Sequence, residues 1–349
     1  MDSVTHILAG GAIGETTLGR KAGWRAMAWG ATVAVLPDID VAIGQFMSEI
    51  DALVFHRGWT HSLVFILLMT PMLGTVAARI HSQLKIPPWQ WMILIGLSLF
   101  SHVLLDLCTS YGTQVLLPFT DTAYAWSNIA IIDPLFTLPY LIAIPFIIRF
   151  RHKPEYRRFT AIIAIAISGL YLGLTLINKT HVERQFVEAL EREGIEWEEA
   201  EVKPILFSNL LWRGIAREAD TYTAGFYALP DNTPFAELYE IQGDHYYADH
   251  KKQYKPLRQL VWITEGFYQI ERQGDELYLN DLRFGRMGEW EDRSSPYTFT
   301  YHLDVLGSPP DSMRIRQVEL EFEGDRERRL LRSMINRIRN GPATSNAAR

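Results

Sequence analysis

Five apolar stretches, at about 24–46, 63–80, 91–108, 129–148 and 159–177, constrain this chain more than any other feature. A helix crosses a bilayer with about 20 mostly apolar residues, because hydrocarbon offers the backbone no hydrogen-bonding solvent. The fourth stretch, IAIIDPLFTLPYLIAIPFII, carries Pro134, Pro139 and Pro145 and predicts a kinked helix. A further short helix is expected around 5–18, where glycines suit packing against protein better than against lipid. Mean hydropathy near zero conceals a division. Residues 1–177 hold 11 Lys/Arg and 10 Asp/Glu, against 23 and 30 in residues 178–349. The chain therefore reads as a multi-pass α-helical membrane domain over 1–177, with about five spans plus the short N-terminal helix, followed by an α+β soluble domain over 178–349.

Basic residues orient the spans, since cytoplasmic links collect Lys and Arg. Arg149, Arg151, Lys153, Arg157 and Arg158 crowd the link between the fourth and fifth spans. Lys85 marks the 80–90 link, and Arg20, Lys21 and Arg25 precede the first span. All three links are expected inside. The 46–62 and 109–128 loops, and the soluble domain, are then expected on the extracytoplasmic side. Asp2 stands where a cleavable signal would have a positive charge, and Met-Asp is no myristoylation start, so spanning segments are expected to provide attachment.

In the soluble domain TYTAGFYAL, QLVWITEGFYQI and SPYTFTYHLDV predict strands. DRERRLLRSMINRIRN predicts an amphipathic helix with Leu330, Leu331, Met334, Ile335 and Ile338 on its apolar side, followed by a disordered tail. A net charge of −6 argues against nucleic-acid binding. Cys108, the single cysteine, excludes an intrachain disulfide and any Cys-rich zinc module. No P-loop, GxSxG or dinucleotide fingerprint occurs.

Ionisable groups inside spans are costly and mark function. His6, Asp38, Asp40, His56, His61, His102, Asp106 and Asp133 all fall in the apolar half, mostly toward the side the charge rule places outside. His102 and Asp106, four apart in SHVLLD, share one helix face. In HRGWTHS a turn has to bring His56 and His61 together, and in LPDID an extended chain would point Asp38 and Asp40 the same way. His6 suits either ligation or a helix-end hydrogen bond. Asp133, before Pro134, suits a helix cap. Imidazoles and carboxylates without cysteine suit zinc, with manganese or iron as alternatives and room for more than one ion. Arg57 is placed to stabilise negative charge on a reacting oxygen, or to pair with Asp38 or Asp40. Asp40 or Asp106, if not fully engaged as a ligand, is a candidate base for a water. His245, Asp249 and His250 in GDHYYADH form a second, weaker group in a polar loop.

The series MDSVTHILAGG, LPDID, HRGWTHS, SHVLLDLCTSYGTQVLLPF and IIDP resembles the YdjM-type family of inner-membrane proteins described as metal-dependent hydrolases, some members being called LexA-binding. The resemblance covers about residues 1–150. It implies a bacterial inner-membrane location and a metal site formed by His6, Asp38, Asp40, His56, His61, His102 and Asp106. The ligand order is also distantly similar to zinc-dependent phospholipase C and P1-type nucleases, although their later HxxxE motif is not present. Residues and resemblance together predict hydrolysis of a phosphoester or lipid-linked substrate, with membrane lipids as partners. The competing expectation is a non-enzymatic metal-binding scaffold or a metal transporter, whose site would lie near the midplane.

Overall fold

The computed structural model describes residues 1–244, 254–304, 313–320 and 325–342. His245, Asp249 and His250 and the tail from 343 lie outside the described residues. Two compact units form, and the chain passes between them more than once. The first comprises Met1–Ile43, Phe55–Lys179 and Ile205–Asn209; the second comprises Gly44–Val54, Thr180–Pro204 and the described residues from Leu210 onward.

Helix α1 (Ser3–Ala22) opens the first unit, capped by Asp2, whose carboxylate accepts from Thr5 N at 3.0 Å. It is longer than the helix expected at 5–18. It packs against α2 (Trp24–Ala34) at backbone distance. A Cβ on Gly10 would lie 2.3 Å from Gly30 O, and one on Gly14 would lie 2.0 Å from Ala26 O. Small residues are therefore obligatory along this seam.

The stretch 24–46 is not one span. Pro37 has no N–H to continue α2 and its ring crowds the preceding turn, so the helix ends at Ala34. The chain turns, with Asp40 N donating to Pro37 O at 3.4 Å, and restarts as the six-residue α3 (Ile39–Gly44). Among the described residues three helices are long and apolar enough to cross a membrane: α5 (Leu63–Ile80), α6 (Pro88–Cys108) and α8 (Pro154–Glu193). Helix α7 (Pro134–Arg149) is apolar but has 16 residues, with Pro139 and Pro145 inside it. Helix α6 is central: Trp91, Leu94, Ile95 and Leu99 are fully buried, whereas α5 and α8 expose Leu67 and Leu170. Exposed leucines on apolar helices of this length are what a lipid-facing surface requires.

The buried ion pair of Glu15 in α1 with Arg157 in α8 was not anticipated. Arg157 Nη2 lies 2.6 Å from Glu15 Oε2 and Nε lies 3.1 Å from Oε1. Two-point contact of this kind satisfies both charges in a dry setting. Arg157 thus ties two helices together besides adding to the basic link.

The second unit contains α4 (Glu49–Phe55) up to Val54, and the C-terminal part of α8. Among the described residues its strands form two antiparallel meanders. The first runs β1 (Glu199–Pro204), β2 (Leu211–Glu218), β3 (Thr221–Ala228) and β4 (Leu238–Gln242), with Gly214 opposite Gly225. Phe186 of α8 covers Gly214, where a Cβ would come within 2.7 Å of the ring. The second runs β5 (Tyr268–Gln273), β6 (Glu276–Asp281), β7 (Thr300–Asp304) and β8 (Arg314–Gln317), with Leu279 opposite Tyr301.

QLVWITEGFYQI is only half strand. Pro256 sits in the first turn of a helix over Lys255–Ile263, and Leu257 and Leu260 bury one side of it. Glu265 and Gly266 then take positive φ and turn the chain into β5. The helix Arg326–Asn340 forms as expected, but Leu331 and Ile335 are exposed. Its buried side is built on Met334 and on Arg337, which holds Asp231 at 2.8 Å.

Candidate metal centre

Helix α6 carries His102 and Asp106 one turn apart on its buried side. His102 Nδ1 lies 2.6 Å from Ala34 O, the carbonyl released where α2 stops before Pro37. A carbonyl can only accept, so Nδ1 carries the proton and Nε2 presents its lone pair. A short 3₁₀ turn, Trp59–His61, delivers His61, after which Ser62 caps α5 by accepting from Phe65 N at 3.1 Å. His61 Nδ1 lies 3.0 Å from Thr60 Oγ1 and 3.3 Å from Asp40 Oδ2, so its Nε2 also faces inward.

The two Nε2 atoms meet at 3.0 Å. Asp106 Oδ2 lies 3.3 Å from His61 Nε2 and 3.5 Å from His102 Nε2. Asp38 Oδ1 lies 3.7 and 3.5 Å from the same nitrogens. Asp38, His61, His102 and Asp106 thus form a group that could hold a metal ion. Ligands at 2.0–2.1 Å from a tetrahedral ion stand ~3.3–3.4 Å from one another by simple geometry. The five separations above, 3.0 to 3.7 Å, bracket that edge. Asp106 Oδ2 is buried and lies 3.2 Å from Arg57 Nε, but it has no contact of hydrogen-bond geometry, which leaves it able to meet a cation in the cage. Two facing imidazole lone pairs likewise need a cation or a proton between them. Burial works against a charged His61, but contacts with Asp106, Asp38 and Asp40 outweigh it and push its pKa up to about 10. A metal ion entering the cage therefore displaces a proton.

Asp40 stands behind this cage. Its Oδ2 accepts from Arg57 N at 2.9 Å and Thr60 Oγ1 at 3.0 Å, and its Oδ1 lies 3.1 Å from His56 Nδ1. Asp38 and Asp40 grip opposite nitrogens of His61, because the chain between them is not extended but turns into α3. His56 is brought to 6.0 Å from His61, ring centre to ring centre, but bonds to Asp40 outside the four-residue group. His6 stacks on His102 at 3.8 Å and reaches Asp106 Oδ1 at 3.2 Å. The Met1 nitrogen contacts the same oxygen.

Arg57 is buried, with φ of 59°. Its Nε lies 3.2 Å from Asp106 Oδ2 and its Nη1 donates to Thr109 Oγ1 at 2.8 Å. The side chain thus pairs with Asp106, and only the backbone N–H serves Asp40. The guanidinium also lies 5.1 Å from the Tyr111 ring. Asp133 stands apart as the cap of α7, accepting from Leu135 N at 3.0 Å and from Tyr171 Oη at 2.8 Å. His81, outside the site, accepts from Trp29 Nε1 at 3.0 Å. Thr60, Thr109 and Tyr111 complete the surroundings. They lie within HRGWTHS and CTSYG, but hydroxyls beside ligands carry no spacing signal of their own.

A multi-helix membrane unit enclosing two imidazoles and two carboxylates defines the class of protein. The chain belongs to the YdjM inner membrane protein family, which it matches over residues 1–182. It is similar to the uncharacterized protein YfhP of Bacillus subtilis (strain 168), 28% identical over 201 residues, covering 55% of this chain and 59% of that protein. It is also similar to the inner membrane protein YbcI of Escherichia coli (strain K12), 34% identical over 97 residues, covering 27% and 54% of the two chains. The chain thus spans little more than half the length of these relatives. No solved structure matches it.

Proposed function

We propose that this chain is a membrane-embedded metal-dependent hydrolase acting on a phosphoester, with a lipid-linked phosphate as the substrate class. The observation that carries the reading is the convergence of Asp38, His61, His102 and Asp106 inside an apolar helical unit, their donor atoms all within 4.8 Å of one another. A divalent cation held there, zinc being the best match to the donors, supplies Lewis acidity that makes a water acidic near neutral pH and polarises the bond to be cut. The residues do the rest. Asp40 fixes the tautomer and direction of His61, a positioning role, since both its oxygens are already engaged. Arg57 supplies fixed positive charge beside Asp106 for the oxygens of a phosphoryl group. Only Asp38 among the four is partly exposed, so it marks the side on which substrate approaches.

The test is turnover in mixed micelles with phospholipids, lipid-linked phosphates and soluble phosphodiesters. Metal-dependent release from a lipid phosphate, lost in His61→Ala, is expected. Activity confined to soluble phosphodiesters or peptides would remove lipid from the reading; no metal-dependent turnover on any of them would remove hydrolysis.

The reading also assigns the site and the second unit to the extracytoplasmic side, on the strength of the three basic links. A reporter fused after residue 180 should be active only outside the cytoplasm, and one at 154 only inside. The opposite pattern would turn the site to the cytoplasmic face.

A further inference from the structure

The two halves of the ligand loop are separated in sequence by a segment that belongs to the other unit. After Asp40 the chain leaves the first unit at Ile43, and it returns at Phe55, one residue before His56. Between them, α4 is built into the core of the second unit. Ile50 is buried with Leu257, Leu260, Leu279 and Tyr301, and Leu53 packs on the same cluster. The polar side of α4 is held as well. Asp51 Oδ1 accepts from Gln259 Nε2 at 2.9 Å and from Lys255 Nζ at 3.3 Å. Glu49 Oε2 accepts from Gln317 N at 2.7 Å.

A seven-residue helix does not persist in water by itself, because nucleation is too costly for so few hydrogen bonds. Its shape comes from the core it enters. With α4 released, the path from Asp38 to His61 becomes a long free loop, and only the contacts of Asp40 with His56, Arg57 and Thr60 and the cation itself remain to close it.

We propose that the second unit serves as the clamp of the metal loop, with Ile50 and Asp51 as positioning residues, so that cation affinity in the first unit and the stability of the β5–β8 core form one linked equilibrium. This rests on the metal reading of Asp38, His61, His102 and Asp106. It gives the second unit a role that the site residues alone do not explain. The coupling has to run both ways: weakening the core weakens cation binding, and the cation protects the core.

The full-length protein in detergent, titrated with zinc against a chelating dye, tests this. Ile50→Asp is expected to bind zinc at least tenfold more weakly than wild type, and Ile50→Leu to match wild type. Asp51→Lys lies on the exposed side of α4 and sets a cation against Lys255, so it loosens the helix without emptying the core. A several-fold weaker affinity is expected there even if Ile50→Asp fails to fold. Hydrogen exchange of residues 268–304 should slow when zinc is added to wild type. Wild-type zinc affinity in folded Asp51→Lys, together with exchange over 268–304 that ignores zinc, overturns the clamp alone. A wild-type protein that binds no divalent cation overturns the metal reading and the clamp together.

Discussion

Alanine at His102 or His61 should leave the purified protein essentially without bound metal, whereas wild type prepared without chelator should carry about one divalent ion per chain. Structural zinc sites bind with about 10–16 kcal/mol of apparent free energy. Shared over four ligands, one ligand is worth about 3–4 kcal/mol, roughly 10²- to 10³-fold in affinity. Asp40→Asn should behave differently. It leaves all four donors in place but removes the carboxylate that orients His61, and losses of this kind run about 10–100-fold. The order wild type, then Asp40→Asn, then His102→Ala is the informative part, because unfolding would flatten it. Elemental analysis with chelator competition reads all three. Equal metal content in wild type and both histidine variants would remove the cage as the binding site. An Asp40→Asn variant as weak as His102→Ala would make Asp40 a ligand.

The legible parts of this molecule were those for which a local pattern has one physical solution. Runs as apolar as 63–80 and 91–108 have few alternatives to a spanning helix, and α5 and α6 are there. The four-residue spacing of His102 and Asp106 places both on one face of any helix, and α6 keeps them there. What stayed hidden depended on distant partners. Pro37 reads in LPDID as a helix breaker, but that the carbonyl it frees at Ala34 would orient His102, 68 residues away, does not. Asp38 and Asp40 look equivalent in LPDID. Which of them faces the cage is decided by the turn into α3 and by which nitrogen of His61 each can reach. Ile50 and Leu53 lie in too short a helix to show periodicity, so nothing local announced that they belong to the second unit's core. QLVWI has strand composition, yet Pro256 and the three-residue spacing of Leu257 and Leu260 favour helix. Glu15 passed unnoticed because its partner Arg157 is 142 residues away and was already accounted for as a topology signal.

Arg57→Ala should lower turnover about 10²- to 10³-fold, the scale on which one fixed charge or donor at a developing oxyanion acts, while metal content changes little. The side chain is buried within 3.2 Å of a cage oxygen, so charge placed there is poorly screened. Its backbone is held at φ 59°, a conformation non-glycine residues rarely adopt. Gln114 N donates to Arg57 O at 2.9 Å and Asp40 accepts from Arg57 N, so the neighbourhood imposes that geometry from both sides. Backbone strain persists where surrounding contacts over-determine it, and such places cluster at functional sites. Arg57→Lys should recover little of the activity. One ammonium cannot reproduce a planar fork that meets Thr109 through Nη1 while Nε faces Asp106. The decisive comparison is kcat against bound metal in the same preparations. If kcat and metal fall in parallel, Arg57 only steadies Asp106; if both survive in Arg57→Ala, the guanidinium is packing. A fall in kcat at full metal occupancy, unrescued by lysine, would identify it as the group that meets the anionic substrate.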